Sequence, residues 1–199
     1  MTTRIASFVL LAVLFFAPAA KAQSFDLSAN FIASQWSEFD ETDFGVGARL
    51  AWKPTPLIGI EGDFNWYPDG YPDSRFGFSD YRFEGVAAVT VGPRLGRLRP
   101  FARFGGGFLK SDRSEEPIIC PAIFPPLLGC QLATGATMPT LEVGGGLEYS
   151  MTTRTFLRFD AGWRFIKYPG PTFTNNLELK EDGFWGGALK FTLGGGWRF

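Results

Sequence analysis

FWGGALKFTLGGGWRF, residues 184–199, alternates two kinds of side chain with a period of two. Its polar members Lys190, Thr192 and Arg198 stand at even positions. Its bulky apolar members stand at odd positions: Trp185, Leu189, Phe191, Leu193, Trp197 and Phe199. Successive side chains of a β-strand point to opposite faces, so the stretch predicts a strand with one apolar and one polar face. An apolar face on such a strand is typical of contact with lipid.

Seven further segments share this period, which gives eight predicted strands in all. They are residues 25–36, 44–53, 57–67, 81–92, 100–110, 140–150 and 155–167. Each is near the ~9–11 residues that a tilted strand needs to cross a bilayer. The connections after the second, fourth and sixth strands are short, and the others are long. This alternation predicts an all-β fold, an eight-stranded antiparallel up-and-down transmembrane β-barrel with short periplasmic turns and long extracellular loops.

Residues 1–22 have the pattern of a secretory signal peptide. Arg4 supplies the basic start, an apolar run extends to Ala17, and Ala20–Lys21–Ala22 matches the A-x-A cleavage pattern. The apolar run is shorter than the ~20 residues of a spanning helix, which argues against a membrane anchor. We therefore expect one β-barrel domain over residues 23–199.

The predicted register points the charged side chains of the strands into the barrel, and it places no charge on the lipid face of any strand. The inward set contains seven cations and seven anions: Arg49, Arg82, Arg103, Arg158, Arg164, Lys190, Arg198, Asp26, Glu61, Asp63, Glu84, Glu142, Glu148 and Asp160. Eight strands leave an interior that side chains fill, and desolvated charges there must pair. We therefore predict a salt-bridged plug.

A second interpretation of the same residues is a narrow channel or a binding site. Glycines of the inner face, among them Gly47, Gly107 and Gly194, would favour an open path. Glu61 and Asp63 share a face and could carry acid–base chemistry. The plug is the simpler interpretation, because every charge has candidate partners on neighbouring strands.

Aromatic residues cluster near the strand ends and predict two interfacial belts. The outer belt is Trp36, Phe44, Trp66, Tyr81, Phe165 and Trp185. The periplasmic belt is Phe25, Trp52, Phe101, Tyr149, Phe156, Trp197 and Phe199. Acidic loop residues, including Asp43, are predicted to form a solvated outer rim.

Composition excludes several kinds of chemistry. The chain has no histidine, which removes the imidazole base of Ser-His-Asp and Cys-His enzymes and the commonest transition-metal ligand. The net charge of −1 offers no basic excess, so no nucleic-acid partner is expected. We predict no catalytic site, no cofactor and no metal.

Cys120 and Cys130 are the only cysteines, and both lie in the long connection after the fifth strand. Exported compartments are oxidising, so we predict a disulfide between them. It would close a loop rich in proline and apolar residues. The disulfide would either only stiffen this long loop or hold an exposed apolar surface that contacts a partner or the outer leaflet.

Residues 23–199 resemble the small eight-stranded outer-membrane β-barrel proteins, the OmpA-like, OmpX-like and opacity-protein group. The resemblance rests on the strand count, the alternating loop lengths and the final Phe199. In that group a final phenylalanine after alternating apolar residues is the signal for the barrel assembly machinery, so the resemblance implies this role for Trp197 and Phe199. It also implies a place in the bacterial outer membrane, among lipid and lipopolysaccharide. The lipid A-modifying barrel enzymes of similar size rely on a catalytic histidine, which is absent here.

These features together predict a non-enzymatic integral outer-membrane protein. Its role would be structural, or a surface interaction through the extracellular loops, with a ligand that the sequence does not identify. The alternative is a narrow porin-like channel for ions or small solutes.

Overall fold

The structure is a computed structural model that describes residues 24–37, 41–68, 81–112, 124, 128–173 and 178–199. Within these ranges eight long strands form a closed barrel. They are β1 (Ser24–Trp36), β2 (Glu41–Lys53), β3 (Ile58–Tyr67), β4 (Arg82–Val91), β5 (Leu98–Ser111), β6 (Ala136–Ser150), β7 (Thr155–Tyr168) and β10 (Phe184–Arg198). A short helix, α1 (Leu128–Ala133), precedes β6, and the two-residue strands β8 (Thr172–Phe173) and β9 (Leu179–Lys180) pair between β7 and β10. No helix in the described ranges is long and apolar enough to span a bilayer.

The barrel closes where β1 pairs with β10, with Asp26 opposite Arg198 and Trp36 opposite Ala188. The order around the barrel is β1-β10-β7-β6-β5-β4-β3-β2, and every neighbouring pair is antiparallel. In a ring of eight, β7 therefore lies opposite β3, and β10 lies opposite β4. The predicted fold is confirmed, with strand ends that differ by a few residues.

Burial alternates along the barrel strands with the predicted period. On β10, for example, Leu193 is 58% exposed and its neighbour Thr192 is 4% exposed. The outward side chains are mostly apolar, whereas the buried ones include most of the charges. This distribution is the inverse of a water-soluble domain and is that of a barrel surrounded by lipid.

The prediction that no strand carries a charge on its outer face is wrong at two positions. Lys110 on β5 and Lys167 on β7 share the outward parity of Phe108 and Phe165. Both lysines stand at the loop end of their strands, where the bilayer meets water. A lysine there can extend its ammonium group to the headgroups while its methylene groups cover apolar surface.

Candidate functional site: the barrel interior

A central layer of three arginines and three carboxylates fills the middle of the barrel: Arg49, Arg103, Arg158, Glu61, Asp63 and Asp160. Arg158 donates to both carboxylate oxygens of Glu61, at 2.6 and 2.9 Å. Because β7 and β3 lie on opposite walls, this pair spans the barrel. Arg49 donates to Asp63 on the neighbouring strand and to Asp160 at 2.8 Å. The layer is charge-neutral and all its carboxylates are paired.

A second layer lies toward the extracellular end. Arg164 and Lys190 both donate to Glu84, each at 2.7 Å, and Arg164 and Glu84 are fully buried. Lys190 also donates to Glu142 at 2.7 Å. Glu142 in turn accepts a hydrogen bond from Arg103 at 2.7 Å. This last contact joins the second layer to the central one.

A third layer lies toward the periplasmic end. Lys53 donates to Asp26 and to Glu148, both at 2.6 Å, and Arg198 donates to the same two carboxylates. Arg99 lies 4.0 Å from Glu148 and donates to two backbone carbonyl groups at 3.3 Å each. Two carboxylates therefore face three cations, and this end of the interior has a net positive charge.

The structure places all fourteen predicted interior charges inside the barrel, with Arg82 and Arg198 the most exposed of them. It adds three charges that the sequence analysis missed. Lys53 and Arg99 belong to the third layer, and Asp43 lies 2.7 Å from Arg82 instead of in a solvated loop. All three residues have the inward parity of their strands. Asp43 and Arg99 were missed because the predicted strands began one residue after them. Lys53 was missed because the last residue of its predicted strand was assigned to neither face.

Three aromatic residues predicted for the interfacial belts lie inside instead. Trp36, Phe101 and Phe156 are only 2%, 6% and 4% exposed. The Arg158 guanidinium stands 4.1 Å from the Phe101 ring centre, and that of Arg164 stands 4.8 Å from the Trp36 ring centre. A desolvated guanidinium is attracted to the face of an aromatic ring. The belt prediction was wrong at these three positions because it considered nearness to a strand end and neglected strand parity.

An apolar cap closes the extracellular end of the interior. It consists of Ile32, Trp36, Tyr67, Leu109, Leu128, Met138, Ile166, Tyr168 and Ala188. Leu128 comes from α1, and Gln131 of the same helix donates to the carbonyl of Pro171 at 2.6 Å. The helix α1, which lies between β5 and β6 in the chain, thus contributes to closing the barrel. The sequence signal for the cap was present, because Ile32, Leu109 and Ile166 are apolar residues with inward parity.

No protein-family model matches the chain, and no curated protein matches its sequence. Solved structures do match. OprG from Pseudomonas aeruginosa superposes with a TM-score of 0.52 and 11% identity, over 89% of this chain and 96% of OprG. A major outer membrane protein from Thermus thermophilus superposes with a TM-score of 0.52 and 13% identity, over 89% of this chain and 100% of that protein. Neisserial surface protein A superposes with a TM-score of 0.51 and 14% identity, over 88% of this chain and 95% of that protein.

The fold is that of the eight-stranded outer-membrane β-barrels. Together with the apolar outer surface, it places the protein in the bacterial outer membrane. The short turns of an outer-membrane barrel face the periplasm and its long loops face the exterior. The third charge layer therefore lies at the periplasmic end and the apolar cap at the cell surface.

A cavity of about 20 Å³ lies among Arg103, Glu142, Asp160, Lys190 and other residues, which is room for about one water molecule. Within the described ranges no group of three potential metal ligands occurs. The charged side chains of the interior bond to one another in all three layers.

Inward glycines do not widen the interior where they face asparagines. A Cβ atom on Gly47 would collide with the side-chain oxygen of Asn65. A Cβ atom on Gly194 would collide in the same way with Asn30. The space that these glycines leave is filled by side chains of the neighbouring strands, so they do not supply the open path that a channel needs.

Cys120 lies outside the described residues. Its pairing with Cys130 of α1 therefore stays a prediction, as do the signal peptide of residues 1–22 and the assembly role of Trp197 and Phe199.

Proposed function

We propose that the protein is a closed, non-enzymatic outer-membrane barrel whose role is structural or is exerted through its extracellular loops. The filled interior carries this proposal. Ion pairs between opposite walls occur in all three layers: Arg158 with Glu61, Lys190 with Glu84, and Lys53 with Glu148. An apolar cap then covers the layers at the cell surface.

An ion that crossed this barrel would have to separate buried pairs on its way. Removing one partner of a buried pair costs about 3–5 kcal/mol. Each separation would slow passage by a factor of roughly 10² to 5 × 10³. The apolar cap adds a stretch in which a passing ion finds few polar partners.

The interior carboxylates also lack the freedom that catalysis needs. Glu61, Asp63, Glu84 and Glu142 each accept hydrogen bonds from arginine or lysine side chains. A general base must reach a substrate proton, and these groups are already bound to cations. The barrel therefore serves best as a rigid mount for its long loops, and loops on rigid scaffolds commonly carry binding functions.

The deciding experiment is single-channel conductance of the protein in a planar bilayer, with heat-modifiable gel mobility as the folding control. We expect folded wild-type protein to give no steady conductance. A variant with both Glu61→Ser and Arg158→Ser loses the central pair that spans the barrel and stays neutral, so it serves as the sensitised comparison. Stable ohmic steps from the wild type would overturn the plug and establish the narrow-channel alternative.

A further inference from the structure

The short periplasmic turns carry three exposed arginines and no acidic residue. Arg94 and Arg97 lie in residues 92–97, between β4 and β5, and Arg154 lies in residues 151–154, between β6 and β7. The third short turn, residues 54–57, carries no charge. The positive charge is therefore confined to the half of the rim that β4, β5, β6 and β7 form.

The turn that bears Arg94 and Arg97 contacts the end of β6, next to the turn that bears Arg154. The backbone N–H of Ser150 donates to the carbonyl of Arg97 at 2.8 Å, and the Arg94 guanidinium donates to the Ser150 hydroxyl at 3.0 Å. Gly96 has a φ of +66°, which lets the chain reverse between Leu95 and Leu98 in a two-residue turn. Arg94 and Arg97 are thus held on a fixed turn beside β6.

Arg154 is held in a similar way on the next turn. The Thr152 hydroxyl accepts hydrogen bonds from the backbone N–H groups of Arg154 and Thr155, at 3.1 and 3.0 Å. The carbonyl of Arg154 accepts a bond from the backbone of Arg198 at 2.7 Å, which fixes the turn against β10. All three arginines therefore project from well-anchored backbone.

A groove opens beside Arg154 at the same rim. Its volume is about 550 Å³, and it is lined by Thr153, Arg154, Trp197, Arg198 and Phe199. Arg198 already pairs with Asp26 and Glu148 inside the barrel, so Arg154 is the cation that the groove offers to a ligand. Trp197 and Phe199 supply an apolar wall.

Large apolar side chains stand among the arginines. Leu95 is 62% exposed, Met151 47%, Trp197 60% and Phe199 77%. Apolar and aromatic side chains next to cations, at the end of a spanning barrel, lie at the level of lipid headgroups. The surface is therefore amphipathic, which suits a ligand with an anionic head and an apolar body.

We propose that this basic rim, defined as Arg94, Arg97, Arg154 and the adjoining groove, binds anionic phospholipid of the inner leaflet. The planar guanidinium matches the two oxygens of a phosphate group. The groove aromatics would pack against the start of the acyl chains. An acidic periplasmic protein would also be complementary in charge to these arginines, but it would not account for the exposed leucine and methionine beside them.

The test compares lipids retained by the protein. Wild-type protein is reconstituted in phosphatidylcholine vesicles with about 20 mol% phosphatidylglycerol, extracted in mild detergent, and its bound lipids are counted by native mass spectrometry. We expect phosphatidylglycerol to be enriched several-fold over the bulk ratio. Each cation near an anionic surface strengthens attraction roughly fivefold, so a variant with Arg94→Gln, Arg97→Gln and Arg154→Gln should fall back to the bulk ratio.

The matched control is Lys110→Gln with Lys167→Gln, which removes outward cations at the opposite rim and should keep the enrichment. Heat-modifiable gel mobility shows whether both variants are folded. The plugged barrel is tested separately by the conductance experiment, so failure of one proposal can be distinguished from failure of the other. Equal enrichment in the triple variant and the wild type would overturn the proposal, as would loss in the lysine control. Retention of a polyglutamate peptide in place of phosphatidylglycerol would also overturn it and assign the rim to an acidic protein.

Discussion

Arg158 and Glu61 are separated by 97 residues in the chain and form a two-point ion pair across the full width of the barrel. One layer toward the cell surface, Lys190 and Glu84 connect another pair of opposite strands. Such pairs join strands that are not neighbours in the barrel and share no backbone hydrogen bonds. We infer that they resist flattening of the barrel as well as filling it.

Replacing Glu61 by Gln should destabilise the folded barrel by about 3–5 kcal/mol, because it leaves an unbalanced cation in a buried neutral layer. The measurement is the urea midpoint of unfolding in lipid vesicles, followed by gel mobility. The matched control is Glu178→Gln in an exposed pair with Lys180, where the change should stay within about 1 kcal/mol.

The double variant Glu61→Met, Arg158→Met tests whether the loss comes from the unpaired charge. Apolar side chains of similar volume can replace a buried ion pair at little cost. We expect the double variant to recover much of the stability that Glu61→Gln loses. If both variants were equally unstable, shape and not charge would explain the effect.

Strand parity explains how much of the interior the sequence could predict. The period of two tells which face a side chain occupies, and it assigned Arg158 and Glu61 inward without any structure. It cannot tell which inward residue meets which across the lumen, because that depends on the stagger of opposite walls. The cross-barrel pairs were therefore visible only in the fold.

Leu193→Arg tests whether Leu193 faces the hydrocarbon middle of the bilayer. Leu193 lies in mid-strand, opposite Phe31 on β1 and Phe159 on β7, and is 58% exposed. A lipid-facing arginine near the bilayer midplane costs about 2–4 kcal/mol. Leu57→Arg is the control, since Leu57 is 46% exposed but lies in the periplasmic turn of residues 54–57. Equal stability losses in chemical unfolding would contradict the assignment of depth.

Gly107→Ala tests why inward glycines occur on β5. A Cβ atom there would lie 2.8 Å from the Cα of Val86 and would also collide with the carbonyl of Gly85. Backbone of a neighbouring strand cannot move aside, so we expect a loss of about 1–3 kcal/mol in unfolding free energy. Gly62→Ala is the control, because nothing lies within 4 Å of its Cβ position. A harmless Gly107→Ala would show that the barrel wall can expand at this point.

The apolar cap shows where sequence reasoning stopped short. Ile32, Leu109 and Ile166 have inward parity, yet the sequence analysis predicted only a salt-bridged plug and no apolar layer. They pack in one cluster with Leu128, which α1 supplies between β5 and β6. The alternation therefore indicated the strand residues of the cap, but it could not indicate Leu128, because a strand period says nothing about the conformation of a loop.

Trp197→Ser with Phe199→Ser tests the predicted assembly signal. Both side chains are exposed on the outside of the barrel, at 60% and 77%, so their loss should leave the interior intact. If they act as a signal, the double variant should fold normally into vesicles without any machinery, but its folded fraction in cellular outer membranes should fall several-fold. Phe104→Ser, at a lipid-facing residue that is 64% exposed, controls for a general loss of apolar surface. Equal loss in vesicles and in cells would mean that the two aromatics stabilise the barrel and do not act as a signal, since intrinsic stability affects both settings alike.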